Sequence, residues 1–181
     1  MKLTFKLSFE NYYEYNRIYS KIAIGKNLSA IFNIGVFEAV VGVILLGLYF
    51  LQILANGASL IAGGVLTAVG VYMMLHSKVL FYTKLKREVR RKYKTQDYFK
   101  NERNVELFEE YMLTYSDTDD YRASYRDDLK EIIETPNLYM VMVHGRRGII
   151  IPKSAVPNEE LRSVLRGLSQ EYGVRYRYIK R

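Results

Sequence analysis

The chain contains no cysteine and only two histidines in 181 residues. Without cysteine there is no disulfide, no thiolate nucleophile and no cysteine-based metal site, a composition that fits a reducing cytosol. The histidines, His76 and His144, are too few for a histidine-rich zinc site. No acid or nucleophile stands beside His144 to build a Ser-His-Asp arrangement. Neither a G-x-x-x-x-G-K-[ST] loop nor a G-x-G-x-x-G fingerprint occurs, and Gly145-Arg146-Arg147-Gly148 reads as a hairpin turn. Asp117, Asp119 and Asp120 resemble the start of a calcium loop. They lack the glycine at its sixth position and the glutamate at its twelfth, so they read as a solvated turn. Asp127 and Asp128 are adjacent, and their side chains are expected to diverge. No catalytic residue, metal site or cofactor is expected, and the chain reads as a non-enzyme.

Charge is the next scarcity. Leu28 to Leu54 carries a single charged side chain, Glu38, and after Asn56-Gly57-Ala58-Ser59 an uncharged run extends from Leu60 to Leu75. A spanning helix needs about 20 mostly apolar residues, because the hydrocarbon core is roughly 30 Å thick and each residue rises about 1.5 Å. Both runs qualify, the second with His76 and Lys78 at the membrane edge. The expected element is a two-helix transmembrane hairpin over residues 28–81, with Asn56–Ser59 as its turn.

The net charge of +8 sits beside that hairpin. Residues 1–27 carry five Lys/Arg against two Glu, and His76 to Lys94 carries eight against one. From residue 95 onward fourteen basic residues meet fifteen acidic ones. Lys/Arg close to a span favour the cytoplasmic side. The expected topology is therefore a multi-pass cell-membrane protein with both termini cytoplasmic. No signal peptide is expected, since polar residues fill positions 8–27 and the apolar run is too long for one.

Residues 1–27 open with a strand-like alternation of Leu3, Phe5 and Leu7. Ser8 then stands as an N-cap for a tyrosine-rich helix, read as packing on the cytosolic domain and leading into the span. Gly35, Ala39 and Gly42 share one helical face with Glu38, and Gly63, Thr67 and Gly70 repeat the spacing. Small residues let helices approach closely in lipid. A turn centred on Gly57 would bring Glu38 level with His76. An intramembrane carboxylate costs several kcal/mol unless neutralised, paired or hydrated, on the order of the insertion penalties for charged residues. The expectation is a Glu38–His76 polar pair, either a clasp or, in an oligomer, part of a pathway.

Residues 82–102 are expected as a basic juxtamembrane helix, whose Leu85, Val89 and Tyr93 continue at i+4 from Phe81 just before it. Lys84, Lys86, Arg87, Arg90, Arg91, Lys92 and Lys94 surround that stripe and are candidates for contact with lipid headgroups of an anionic inner leaflet. No nucleic-acid partner is expected, because the remaining domain is nearly neutral.

Residues 103–181 change to short strands: 104–108, 111–116, 121–126, 129–134, 138–143 and 148–151. A helix opens at Pro157-Asn158-Glu159-Glu160, with Asn158 as N-cap, carries Leu161, Val164, Leu165 and Leu168, and stops at Gly173. Val174–Tyr178 adds a final extended piece. With the first strand the tally is seven, and a sheet of that size curls or closes. The expected fold class is an α+β membrane protein, a transmembrane hairpin inserted into a pleckstrin-homology-like β-barrel with a C-terminal helix.

The segment Tyr125-Arg126-Asp127-Asp128-Leu129-Lys130-Glu131-Ile132, the strand Leu138-Tyr139-Met140-Val141 and the ending Gly148-Ile149-Ile150-Ile151-Pro152-Lys153 resemble the YcxB-like family of bacterial membrane proteins. That family usually carries tryptophan where Tyr125 stands, and this chain has no tryptophan. The resemblance implies the same order of strand, helix, hairpin and β-rich domain, and no catalytic residues. On its own chemistry Pro152 ends a ladder for want of an N–H, and Lys153 at the rim, which could bind an anion, is expected to be solvated.

These readings converge on a membrane-anchored interaction or regulatory protein that binds a protein partner, an anionic headgroup or a second copy of itself. The alternative is a small oligomeric transporter or channel subunit using Glu38 and His76. Immunity against a membrane-active toxin is a narrower variant of the first.

Overall fold

The computed structural model describes residues 1–54, 56–96, 99, 101–116, 119–144, 148–155 and 158–180. The chain divides into two compact units, Met1–Tyr15 with Val89–Arg181, and Asn16–Glu88. The helix expected to begin at Ser8 and the first span are one element, α1 (Phe9–Phe50). The Asn11 N–H donates to Ser8 Oγ at 3.1 Å, which caps it as expected. No break falls at residue 27; the unit boundaries lie inside α1 and inside α3 (Phe81–Thr95).

The first unit is an α+β body of two four-stranded sheets. One has the order β1 (Lys2–Phe5), β2 (Arg103–Leu107), β3 (Tyr111–Ser116), β4 (Asp119–Ser124), antiparallel throughout. The first strand of the chain therefore pairs with a strand a hundred residues on. The other sheet runs β7 (Ile149–Pro152), β6 (Leu138–Val143), β5 (Leu129–Glu134), β8 (Arg175–Tyr178), with β8 parallel to β5.

The closed seven-stranded barrel is corrected to eight strands in two sheets, with no ladder joining the sheets among the described residues. The break has a local cause between β4 and β5. Asp128 Oδ2 accepts from the Ser124 N–H at 2.8 Å, and Asp127 Oδ2 accepts from Ser124 Oγ at 3.0 Å. The two aspartates thus converge on Ser124 instead of diverging, and the turn they hold ends one ladder before the next begins. The segment expected as a turn at Asp117–Asp120 is β4 from Asp119 onward; residues 117 and 118, like Gly145, Arg146, Arg147 and Pro157, lie outside the described residues.

The core alternates as the strand pattern demands. Leu3 and Phe5 of β1 and Val105 and Leu107 of β2 point inward, while β6 is an almost unbroken buried run. Leu161, Leu165 and Leu168 of α4 (Asn158–Glu171) supply its buried stripe. Gly173, at φ +63°, takes the left-handed position past the helix end, and the Val174 N–H returns to Ser169 O. The opening of α1 is tied in by Glu14. Its Oε1 accepts from Thr135 Oγ1 at 2.7 Å and its Oε2 from Asn137 Nδ2 at 2.8 Å. Tyr93 near the end of α3 packs on Phe9 and Phe99 and donates to Leu7 O.

The second unit is the helical hairpin. Here α1 ends at Phe50, Gln52 adopts φ +60°, and α2 (Gly57–Leu75) begins behind the N-cap Asn56. The Asn56 side chain accepts from the Ser59 N–H at 2.8 Å. The polar stretch expected as the turn is thus the start of a helix, and the turn lies earlier, in the apolar Leu51–Leu54. A π-helical turn, His76–Leu80, connects α2 to α3.

Candidate functional site

The hairpin is held by the small residues the spacing singled out. Gly35 and Gly42 of α1 lie against Gly70 and Gly63 of α2. A Cβ added at Gly70 would fall 2.5 Å from the Ala39 nitrogen and from Gly35 O. The facing numbers total 105 for Gly35 with Gly70 and 109 for Ala39 with Gly70. That register places Glu38 level with residues 67–71, not with His76, because the turn centres before Asn56 and not on Gly57. His76 lies roughly 10 Å away along the axis by the helical rise, with its ring 5.9 Å from Tyr72. The Glu38–His76 pair is therefore not formed. Glu38 is half-buried, and its Oε2 is enclosed with no hydrogen-bond partner among the described residues.

On α3 the apolar stripe faces inward: Val89 is buried and Phe81, Leu85 and Tyr93 are half-buried. Lys84, Lys86, Arg87, Arg90, Arg91, Lys92 and Lys94 are all exposed. The Arg90 guanidinium lies 5.4 Å from the Phe9 ring centroid, so this cation is partly spent on packing within its own unit.

In the first unit a buried polar cluster, not singled out from the sequence, gathers around one carboxylate. Glu134, at the end of β5, is 2% exposed. Its Oε1 accepts from Lys153 Nζ at 2.6 Å and from Arg162 Nη2 at 2.6 Å and Nε at 3.0 Å. Its Oε2 accepts from Tyr176 Oη at 2.7 Å. One carboxylate thereby joins β5, the turn after β7, α4 and β8. Burial would push Glu134 up, but the hydrogen bonds from Lys153, Tyr176 and Arg162 outweigh it and bring the carboxyl down to about 2. Burial and the carboxylate together push the Tyr176 hydroxyl well up.

Lys153, expected in solvent, has a side chain only 9% exposed, and its Nζ also sits 4.8 Å from the Tyr139 ring centroid. Its burial is possible because the charge is paired. Pro152 closes β7 as expected, and the Lys153 N–H turns to Asn137 O. With both oxygens engaged and the carboxyl held low, Glu134 is a brace and not a base. Among the described residues no group of His, Cys, Asp or Glu side chains could hold a metal ion.

Apart from β8, the cluster is built by elements within the stretch from β3 to α4, and that stretch is the part of the chain that a family model recognises. Residues 108–168 match the YcxB-like protein family. The three segments that carried the resemblance fall inside that span, as do Glu134, Lys153 and Arg162; Tyr176 lies beyond it. No curated protein and no solved structure matches the chain.

Within the YcxB-like segment, Tyr125 is buried and its ring lies 5.6 Å from that of Tyr172. It fills the core place that the resemblance gives to an aromatic ring. Its hydroxyl has no partner among the described residues, and burial pushes it up. An unmade hydrogen bond in a buried site costs about 1–3 kcal/mol. Tyr125→Phe is accordingly expected to raise stability by about 1 kcal/mol, read as a higher denaturation midpoint. A midpoint that falls would mean that the hydroxyl has a partner after all.

Proposed function

We propose that this chain is a two-helix membrane anchor that holds a pleckstrin-homology-like module at the inner face of the cell membrane, acting as a non-enzymatic interaction or regulatory protein. The observation that carries the reading is the lack of cover on the hairpin. The two helices, Phe9–Phe50 and Gly57–Thr95, are long and apolar enough to cross a membrane, and their most apolar windows are only 11% and 17% buried. Phe37 is 69% exposed and Ile61 68%. The core helix of a soluble domain passes the same length test but buries its apolar face. Soluble monomers rarely expose contiguous apolar patches beyond a few hundred Å², roughly. Lipid is the solvent that suits this surface.

The module reading is supported by an antiparallel four-stranded sheet, three further antiparallel strands and a helix, in that order along the chain, with β8 as an addition. The exposed cations of α3 favour a cytoplasmic position for both flanks of the hairpin. They also favour contact with anionic headgroups, each worth about 1 kcal/mol near the leaflet. A tethered module meets partners at high effective concentration without a separate membrane-binding step.

Reporter fusions at the two ends test the topology. Both should report the cytoplasm, and the chain should stay with the membrane through alkaline washing. Ends on opposite faces, or a chain washed free, would remove the reading. The unpartnered Glu38 Oε2 favours one alternative, a conducting oligomer lined by that carboxylate. Vesicles carrying the purified chain should leak protons no faster than empty ones; a flux abolished by Glu38→Gln would replace the anchor with a transporter.

A further inference from the structure

The second unit contains a cleft that neither the hairpin contacts nor the α3 cations use. It measures about 790 Å³ and is lined on one side by Lys21, Lys26, Ser29 and Asn33 of α1, and on the other by Ser77 and Lys78 of the π-helical turn. Lysines 21 and 26 enclose Gly25, and a Cβ placed there would meet nothing nearer than Lys21 Cγ at 3.7 Å. The α1 wall of the cleft is therefore open at Gly25.

The opposite wall depends on the π-helical turn. A single i→i+5 turn inserts about one residue and rotates the downstream helix by roughly 100° relative to an unbroken α-helix. Lys78 and Tyr82, four apart, both line the cleft. Lys78 Nζ sits 3.8 Å from the Phe32 ring centroid, which holds the exposed side chain against the wall of the cleft.

The electrostatics are one-sided. No aspartate or glutamate lines the cleft, and none of Lys21, Lys26 and Lys78 has an ion-pair partner among the described residues. Three lysines thus line one space with no acidic side chain to offset their charge, and an anion entering it would relieve their repulsion. Hydroxyl and amide groups from Ser29, Asn33 and Tyr82 stand among them, suited to the oxygens of a phosphodiester.

Depth and surroundings choose the anion. Ser29 lies about 21 residues before the end of α1 at Phe50, and Lys78 about 21 residues beyond the start of α2 at Gly57. At 1.5 Å per residue, each is roughly 32 Å from the far turn, close to the hydrocarbon thickness of about 30 Å. If the far turn lies at one boundary of the bilayer, the cleft lies at the other. Ile34, Val79 and Leu80 near it are exposed, an apolar surface for acyl chains. A free phosphate would gain nothing from them.

We propose that this cleft is a headgroup site for one anionic phospholipid per chain, the phosphodiester held by Lys21, Lys26 and Lys78. The inference rests on the anchor reading and adds a stoichiometric lipid to it.

The test uses the full chain in neutral detergent, with retained lipid counted by native mass spectrometry after addition of phosphatidylglycerol or phosphatidylcholine. One phosphatidylglycerol per chain is expected to survive, and no phosphatidylcholine. Replacing Lys21, Lys26 and Lys78 with Gln should weaken retention about fivefold for each lysine neutralised. Gly25→Leu keeps every charge, favours the helix and fills the opening in the α1 wall, so it should lose the lipid as well. A charge-matched control, Gln at the exposed Arg126, Lys130 and Arg175 of the first unit, should retain it. Equal retention of both lipids, loss in the control matching that of the triple variant, or displacement by inorganic phosphate at the lipid's own concentration would each overturn the site. Flotation with vesicles separates the two levels. A chain that floats without retaining phosphatidylglycerol overturns the cleft alone, and one that does not float overturns the anchor with it.

Discussion

Gly42→Leu is expected to force the two helices of the hairpin apart, whereas Gly47→Leu, five residues on, leaves them in place. At Gly42 an added Cβ would meet Thr67 Oγ1, the Thr67 backbone nitrogen at 2.5 Å and Gly63 O at 2.7 Å. The backbone of a hydrogen-bonded helix cannot yield as a flexible side chain does. At Gly47 the same atom would meet nothing within 4 Å. Helices in lipid associate through close packing, since lipid tails offer no hydrophobic drive toward contact. Overpacking a tight contact costs about 1–3 kcal/mol, and more where backbone is the obstacle. That is comparable with all that holds a two-helix crossing together.

The absence of native cysteine allows two labels to be placed without background. Spin labels at Phe37 and Tyr72, both exposed, report the separation across the hairpin. A distance several ångströms longer and broader in Gly42→Leu, with Gly47→Leu unchanged, is the expected result. Identical distributions in both variants would mean that the crossing is not built on Gly42.

That crossing was legible in the sequence, because a 3.6-residue period of glycines inside an apolar run has few other uses. Its register was not. Asn56 and Ser59 look like loop residues, yet the same side chains are what a helix start needs. The chain instead reverses through Leu51–Leu54, where mostly apolar residues give no turn signal. Shifting the turn by a few residues moved Glu38 away from His76 by about two helical turns. Partner assignment in a hairpin depends on the turn's centre.

In the β-rich unit, strand positions followed from alternation, and Gly173 from its role past a helix end. The separation into two sheets did not follow, since it depends on Asp127 and Asp128 bonding Ser124 where adjacency suggested divergence. Neither did Lys153. A lysine after a strand is usually solvated, and only the fold brings it to Glu134, nineteen positions away. The one sequence signal was Glu134 itself, an acid directly after Ile132 and Ile133 at the end of a buried strand.

The second large effect concerns that acid. Glu134→Gln should destabilise the β-rich unit by about 3–5 kcal/mol, the cost of leaving buried charge without its counterpart. Lys153 and Arg162 would face a neutral amide, and Tyr176 would lose its ionised acceptor. The pH dependence provides an independent check. The Glu134 carboxyl is held at about 2 against an ordinary 4.5. A group depressed in the folded state contributes stability that is whole above its unfolded value and vanishes as pH falls through the folded one. About 3 kcal/mol should therefore disappear between roughly pH 5 and pH 2, at 1.36 kcal/mol per unit. Urea denaturation of the chain in mild detergent, followed through tyrosine near-ultraviolet dichroism, measures both. The wild type should weaken steeply over that range, and Glu134→Gln, already weaker at neutral pH, should follow a visibly flatter slope. Parallel slopes would mean that Glu134 is not the group being titrated. A second variant separates brace from specific requirement: Glu134→Leu combined with Lys153→Met and Arg162→Met removes every charge of the cluster together. Apolar replacement of a whole buried ion cluster is often neutral or better. This variant should therefore recover most of what Glu134→Gln loses, because the penalty comes from orphaned cations and not from the missing acid.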